Sequence, residues 1–128
     1  MLNVWGKIKE LINRPYIVES GSNTNGDYIK WSNGDMICTL NIKVNNQAIN
    51  TQYANTALYF GTRTWTFPVA FSEPPVISCG CFRWLTGGSW GASGPSSKTE
   101  VMLFGYDLFP RATGENCWIQ AIAVGKWK

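Results

Sequence analysis

With no histidine in 128 residues, this chain cannot build a Ser-His-Asp or Cys-His arrangement. No Gly-rich phosphate loop leads from a strand into a helix. The carboxylates are Glu10, Glu19, Asp27, Asp35, Glu73, Glu100, Asp107 and Glu115. A glycosidase would need two of them across one cleft, roughly 5 to 9 Å apart. Most of them flank turns, where Asp and Glu serve local hydrogen bonding, so the chain is expected not to be an enzyme. The cysteines Cys38, Cys79, Cys81 and Cys117 contain no CxxC pair, and a zinc site would have to use all four thiolates. Cys79 and Cys81 sit two apart in a strand-like run and are expected on one face, as small, reduced core residues. Neither a metal nor any other cofactor is expected.

Binding chemistry is better supplied. Charged residues make up 15% of the chain, against roughly 25% in an average soluble domain, while aromatics reach 14% with seven Trp. An aromatic face stacks on the C–H side of a sugar ring, and amides, hydroxyls or charges fix the ring's hydroxyls. Six residues are candidates. Trp90 lies in the Gly/Ser-rich run 87–94, which reads as a mobile loop with nothing nearby to bury an indole. Its alternative is packing on a neighbouring subunit or loop. Tyr53 and Gln52 sit among Asn50, Thr51 and Asn55, a polar stretch suited to hydroxyl recognition or to plain solvent contact. Arg83 ends a strand beside Trp84, with a solvated edge as its competing reading and the core as that of Trp84. Asp107 and Arg111 flank one turn, where the competing reading is a surface ion pair.

Other classes are disfavoured. The net charge is +3 and the eleven Lys and Arg are scattered, whereas nucleic-acid binding calls for a clustered basic footprint. No stretch approaches 18 apolar residues, so no membrane-inserting segment is expected. The first ten residues are too charged for a secretory signal core.

The elements that must position these residues read mostly as strands. Residues 2–13 are the helical candidate, with Val4, Ile8 and Leu11 at coiled-coil spacing and Pro15 as the stop. The segment 1–18 is then either the last turns of a trimeric stalk or a helix packed on its own domain, and 19–128 forms the binding domain. Residues 19–26 read as a turn-rich linker. Asn33-Gly34 between apolar alternations predicts a two-residue hairpin turn, setting Trp31 opposite Met36 and Ile29 opposite Cys38. Met36, Cys38, Leu40, Ile42 and Val44 then share a core face. A polar connection at 45–56 precedes a strand over 57–67, interrupted near Gly61 and ended by Pro68. A strand follows at 76–85, with Val76, Ser78, Gly80, Phe82 and Trp84 on one face. A loop at 86–98, a strand at 99–106, a turn at 107–116 and a last strand at 117–125 complete the chain. Six or seven short strands with turns between them predict an all-β, antiparallel sandwich with a short N-terminal helix.

Two stretches carry a family likeness. ESGSNTNGDYIKWSNGDMIC (residues 19–38) resembles the opening of C-terminal receptor-binding domains in bacteriophage and prophage tail fibre proteins. WTFPVAF (65–71), EPPVI (73–77) and the closing CWIQAIAVG (117–125) are similar to the later strands of the same tips and to the layout of H-type lectins. The ending departs from the lectin spacing, and no lectin sugar contacts map onto this chain. The resemblance implies a small β-sandwich that works as a homotrimer at a virion's tail fibre tip, assembled in the host cytoplasm. It implies three partners: a host cell-surface glycan, two copies of itself, and an upstream fibre shaft. The competing implication is a trimerisation cap without a ligand of its own. Low charge and surplus tryptophan also favour a partner surface.

Overall fold

The alternation after Asn33-Gly34 builds the spine of one sheet. Strand β3 (Asp35–Val44) turns Met36, Cys38 and Leu40 into the core. It lies between β2 (Gly26–Trp31) and β9 (Cys117–Lys126), with β1 (Ile17–Asn23) and β6 (Val76–Arg83) at the edges, in the order β1-β2-β3-β9-β6. The facing sheet runs β4-β5-β8-β7, from Thr51–Gln52, Tyr59–Thr66, Glu100–Asp107 and Ser89–Ser93 respectively. Every pairing is antiparallel. This computed structural model describes residues 3–83 and 89–128, apart from the side chains of Cys81 and Arg83. The architecture is the expected all-β sandwich with one short helix, α1 (Val4–Asn13).

The core fills from both sheets. Phe82, Ile119, Val101 and Leu103 are buried, as are Trp65, Phe67 and Phe71. The last three meet edge to face, with successive ring centroids 5.1 Å apart. Burying each such side chain is worth about 1.5–3 kcal/mol. Ile49 enters from the 45–50 segment, which lies against the inner face of the second sheet: the carbonyl of Ala48 would stand 2.0 Å from a Cβ on Gly61. That approach requires glycine at 61 without interrupting the strand, so β5 runs unbroken from Tyr59 to Thr66.

Several local expectations change. Among the described residues there are nine strands rather than six or seven, because β1, β4 and β7 form in stretches read as loops. β1 is an edge strand whose side chains are nearly all exposed, so it has no apolar alternation to announce it; its backbone ladder to β2 carries it. The hairpin loop holds three residues, 32–34, with Gly34 at φ 99° and its N–H donating to Trp31 O at 3.0 Å. A three-residue loop closed by a positive-φ glycine shifts the ladder by one, and a shift of one turns every β2 side chain over. Tyr28 therefore stands opposite Cys38 and packs on the core, while Ile29 faces outward opposite Ile37. In β6 the register slips between Cys79 and Cys81, opposite Ala121 and Gln120. This bulge at Gly80 resets the alternation, so Ile77, Cys79 and Phe82 face the core while Val76 is 77% exposed. Cys79 packs on the core as expected, while the side chain of Cys81, and with it the expected shared face, lies outside the described residues. Among the described residues helix α1 packs against none of the strands, and Val4, Trp5, Ile8, Leu11 and Ile12 are all exposed.

Candidate functional site: an aromatic ladder on the second sheet

Three dipeptides on neighbouring strands share one design. Phe60-Gly61 on β5, Gly105-Tyr106 on β8 and Trp90-Gly91 on β7 align so that Phe60 pairs with Tyr106 and Tyr106 with Trp90. The glycines align in the same way, Gly61 with Gly105 and Gly105 with Gly91. Since side chains alternate along a strand, the glycines face inward and the rings outward. The inner row is tightly covered. A Cβ on Gly105 would lie 1.9 Å from Phe82 Cδ1, and one on Gly91 would lie 2.6 Å from Cys79 Sγ. Phe82 thus seats against bare backbone, and the outer rings stand on a strand set that cannot retreat inward.

On the outside, the Trp90 and Tyr106 rings are stacked, 5.8 Å between centroids and 22° between planes. Phe104 continues the stack beside Tyr106 at 6.4 Å and 13°. Phe60 leans on Tyr106 at 6.4 Å, and Tyr53 meets both Phe60 and Tyr106 edge-on at 6.0 and 6.5 Å. Trp90 remains 46% exposed and Tyr53 51%. The result is a broad π surface with accessible faces at two ends. Such surfaces take the apolar side of a sugar ring or another flat ligand.

The polar surroundings come from the 51–58 turn. Gln52 Nε2 donates to Thr56 O at 2.8 Å, Thr56 Oγ1 donates to Tyr53 O, and Tyr53 N donates to Leu58 O. Ala54, at φ 50°, sits at the tip of this turn. These bonds hold Tyr53 at the rim of the ladder.

The six sequence candidates separate accordingly. Trp90 and Tyr53 come together at the ladder through Tyr106, whereas Gln52 pairs with Tyr59 and so lies on the face turned away from the rings. Trp90 is not in a mobile loop: it lies on β7, half covered by Tyr106. The side chain of Arg83 and all of Trp84 fall outside the described residues. Asp107 points the opposite way from Tyr106 and is fully buried. Its Oδ1 accepts from Phe109 N at 2.9 Å and its Oδ2 from Arg111 Nε at 3.1 Å. Arg111 is itself mostly covered and pairs through its backbone with Ile49 in both directions. The pair is therefore an interior brace for the 107–111 turn and the 45–50 segment, not a surface ion pair.

Phe60, Phe104 and Tyr106 complete the ladder; from the sequence Tyr106 is expected only to pack at a strand end, and the two phenylalanines are not among the candidates. The signal for them was the glycine adjoining an aromatic on three separate segments. Among the described residues, no three His, Cys, Asp or Glu gather where a metal ion would fit.

The whole fold is similar to two solved fibre structures. Over 98% of its length the chain superposes on a C-terminal fragment of the R1 pyocin fibre of P. aeruginosa, with a TM-score of 0.57 and 16% identity. It spans 32% of that chain. An N-truncated R1-type pyocin tail fibre matches at a TM-score of 0.53 and 15% identity, over 98% of each chain. Identities this low show a shared fold. No family profile and no curated protein sequence matches the chain.

Proposed function

We propose that this chain is the receptor-binding tip of a phage-type tail fibre, a virion component that works by binding a host cell-surface glycan and has no catalytic step. The observation that carries this reading is the exposed ladder of Trp90, Tyr106, Phe104, Phe60 and Tyr53. A soluble domain that leaves stacked rings open to water has a use for them. The shared fold with pyocin fibre fragments supplies the fibre context. A glycan array on the purified chain tests it, followed by Trp90→Ala and Tyr53→Ala on any hit. Each variant should weaken binding by about tenfold, the equivalent of one lost ring stack. An array without hits, or binding indifferent to both substitutions, refutes the glycan reading.

The chain acts in this proposal as a homotrimer joined to a shaft, and the support lies on the other sheet. Ile29, Ile37, Val124 and Val76 form one cross-strand row on the outer face of β2-β3-β9-β6. Ile122 adds to it, 38% exposed. A ten-residue helix standing alone in water is marginal, so the apolar side of α1 also calls for a partner. Parallel bundling of the helices would gather the sheets around the same axis. Light scattering should report a trimer, and a monomer at high concentration refutes this part. The same apolar row favours the second reading, a trimerisation cap; that reading is selected if the trimer forms while the array stays blank.

A further inference from the structure

The face that carries the ladder is nearly free of charge. Every second residue of β5, β8 and β7 points outward with the rings. Among those positions the formally charged side chain is Glu100, at the far end of β8. Its backbone lies about 13 Å along the strand from Phe104 and about 20 Å from Tyr106. In sequence the runs 44–62 and 84–97 hold no Asp, Glu, Lys or Arg, so the turn beside Tyr53 and the stretch leading to Trp90 add none. The charges nearest to the rings along the chain are directed inward. Asp107 and Arg111 pair with each other beneath the sheet, and Arg63 donates to Asn46 and Gln47 of the 45–50 segment.

This arrangement selects against acidic ligands. A carboxylate or phosphate laid on the ladder would give up water without a cation to replace it. It would also meet the negative faces of the rings. The C–H side of a sugar has the opposite preference. Uncharged partners for its hydroxyls are at hand in the exposed Thr62 and Thr64, the Trp90 N–H and the Tyr53 O–H. The spacing of the open rings then sets a length. Trp90 on β7 and Tyr53 at the end of β4 meet Tyr106 from opposite sides, at 5.8 and 6.5 Å. The strands that bear them lie three pairings apart, roughly 14 Å. A pyranose covers no more than one such ring, so a single sugar reaches one of the two. We propose that the ladder binds an acid-free stretch of a linear glycan, at least three consecutive sugars laid across the strands from Trp90 to Tyr53. This inference rests on the glycan reading of the ladder and adds the ligand's charge and length.

A glycan array holding neutral and acidic glycans, from single sugars to long chains, tests it. Hits should lack uronate, sialate, phosphate and sulfate, and single sugars should stay blank. For a hit, titration calorimetry with the free oligosaccharide should give a Kd that moves less than about twofold between about 50 and about 500 mM NaCl, because no ion pair is there to screen. Trp90→Ala and Tyr53→Ala should each weaken it by about tenfold. Circular dichroism should show both variants folded, since each ring is half exposed. Three outcomes overturn the proposal while leaving the glycan reading in place: acidic glycans bound through Trp90, a single sugar bound as tightly as the chain, or a hit weakened by one substitution and not by the other. A blank array, or hits indifferent to both substitutions, removes the glycan reading and this inference with it.

Discussion

Gly105 should not tolerate even a methyl group. A Cβ there would stand 1.9, 2.4 and 2.8 Å from Cδ1, Cε1 and Cγ of Phe82. Carbon atoms settle at about 3.5–4.0 Å, so the ring or strand β8 must move by about 1.5 Å. Phe82 has little room to give: it is fully buried within the core cluster. Overpacking in a filled core costs about 1–3 kcal/mol, and this site sits at the upper end. Gly105→Ala should therefore lose about 3 kcal/mol and lower Tm by about 10 °C for a domain of this size. Urea unfolding followed by tryptophan fluorescence measures it, with an unchanged slope as the check that the unfolding reaction is the same. Phe82→Ala alone should cost about 3–5 kcal/mol by leaving a cavity. Combined, the two should cost clearly less than their sum, because the added methyl occupies space the ring has left. A loss below about 1 kcal/mol for Gly105→Ala, or strict additivity in the pair, would refute the glycine row as the seat of Phe82.

Asp107→Asn should destabilise the chain by about 3 kcal/mol, since it leaves the largely covered Arg111 without its counter-charge; thermal unfolding measures this. Burial pushes the Cys38 thiol from 9.0 up to about 11. The folded state then holds its proton more tightly than the unfolded chain, so this stabilisation is complete below pH 9.0 and is lost as pH climbs to about 11. Urea midpoints across that window should fall, and fall less in Cys38→Ala. Hydrogen bonds from Lys126 and Asn33 hold the Asp35 carboxyl below its ordinary value, so acidification through that range should loosen the β2–β3 loop before the core, seen as early amide exchange there. Val124→Glu, placed in the outer apolar row, should shift the light-scattering mass toward the monomer while the circular dichroism stays β-type.

Much of this protein was decided by local chemistry that needs no partner strand. Met36, Cys38, Leu40, Ile42 and Val44 alternate strictly, so one face of β3 had to be interior whatever it packed against. Pro68 and the Asn33-Gly34 turn fall at element ends because fixed or positive φ leaves them few other places. The lack of histidine likewise removes whole reaction classes before any folding. What the chain could not announce depends on distance across the sheets. The three-residue loop at 32–34 and the bulge at Gly80 each move a register by one, and no local pattern distinguishes Tyr28 from Ile29 as the inward residue. β1 and β7 carry few apolar side chains and exist because a neighbour offers free backbone groups. Asp107 looks like a turn acid in the sequence, and only the inward register of β8 buries it against Arg111. The aromatic ladder belongs to the same class: Phe60, Tyr106 and Trp90 lie tens of residues apart, and only pairing of β5, β8 and β7 in one register turns three glycine neighbours inward and three rings outward together.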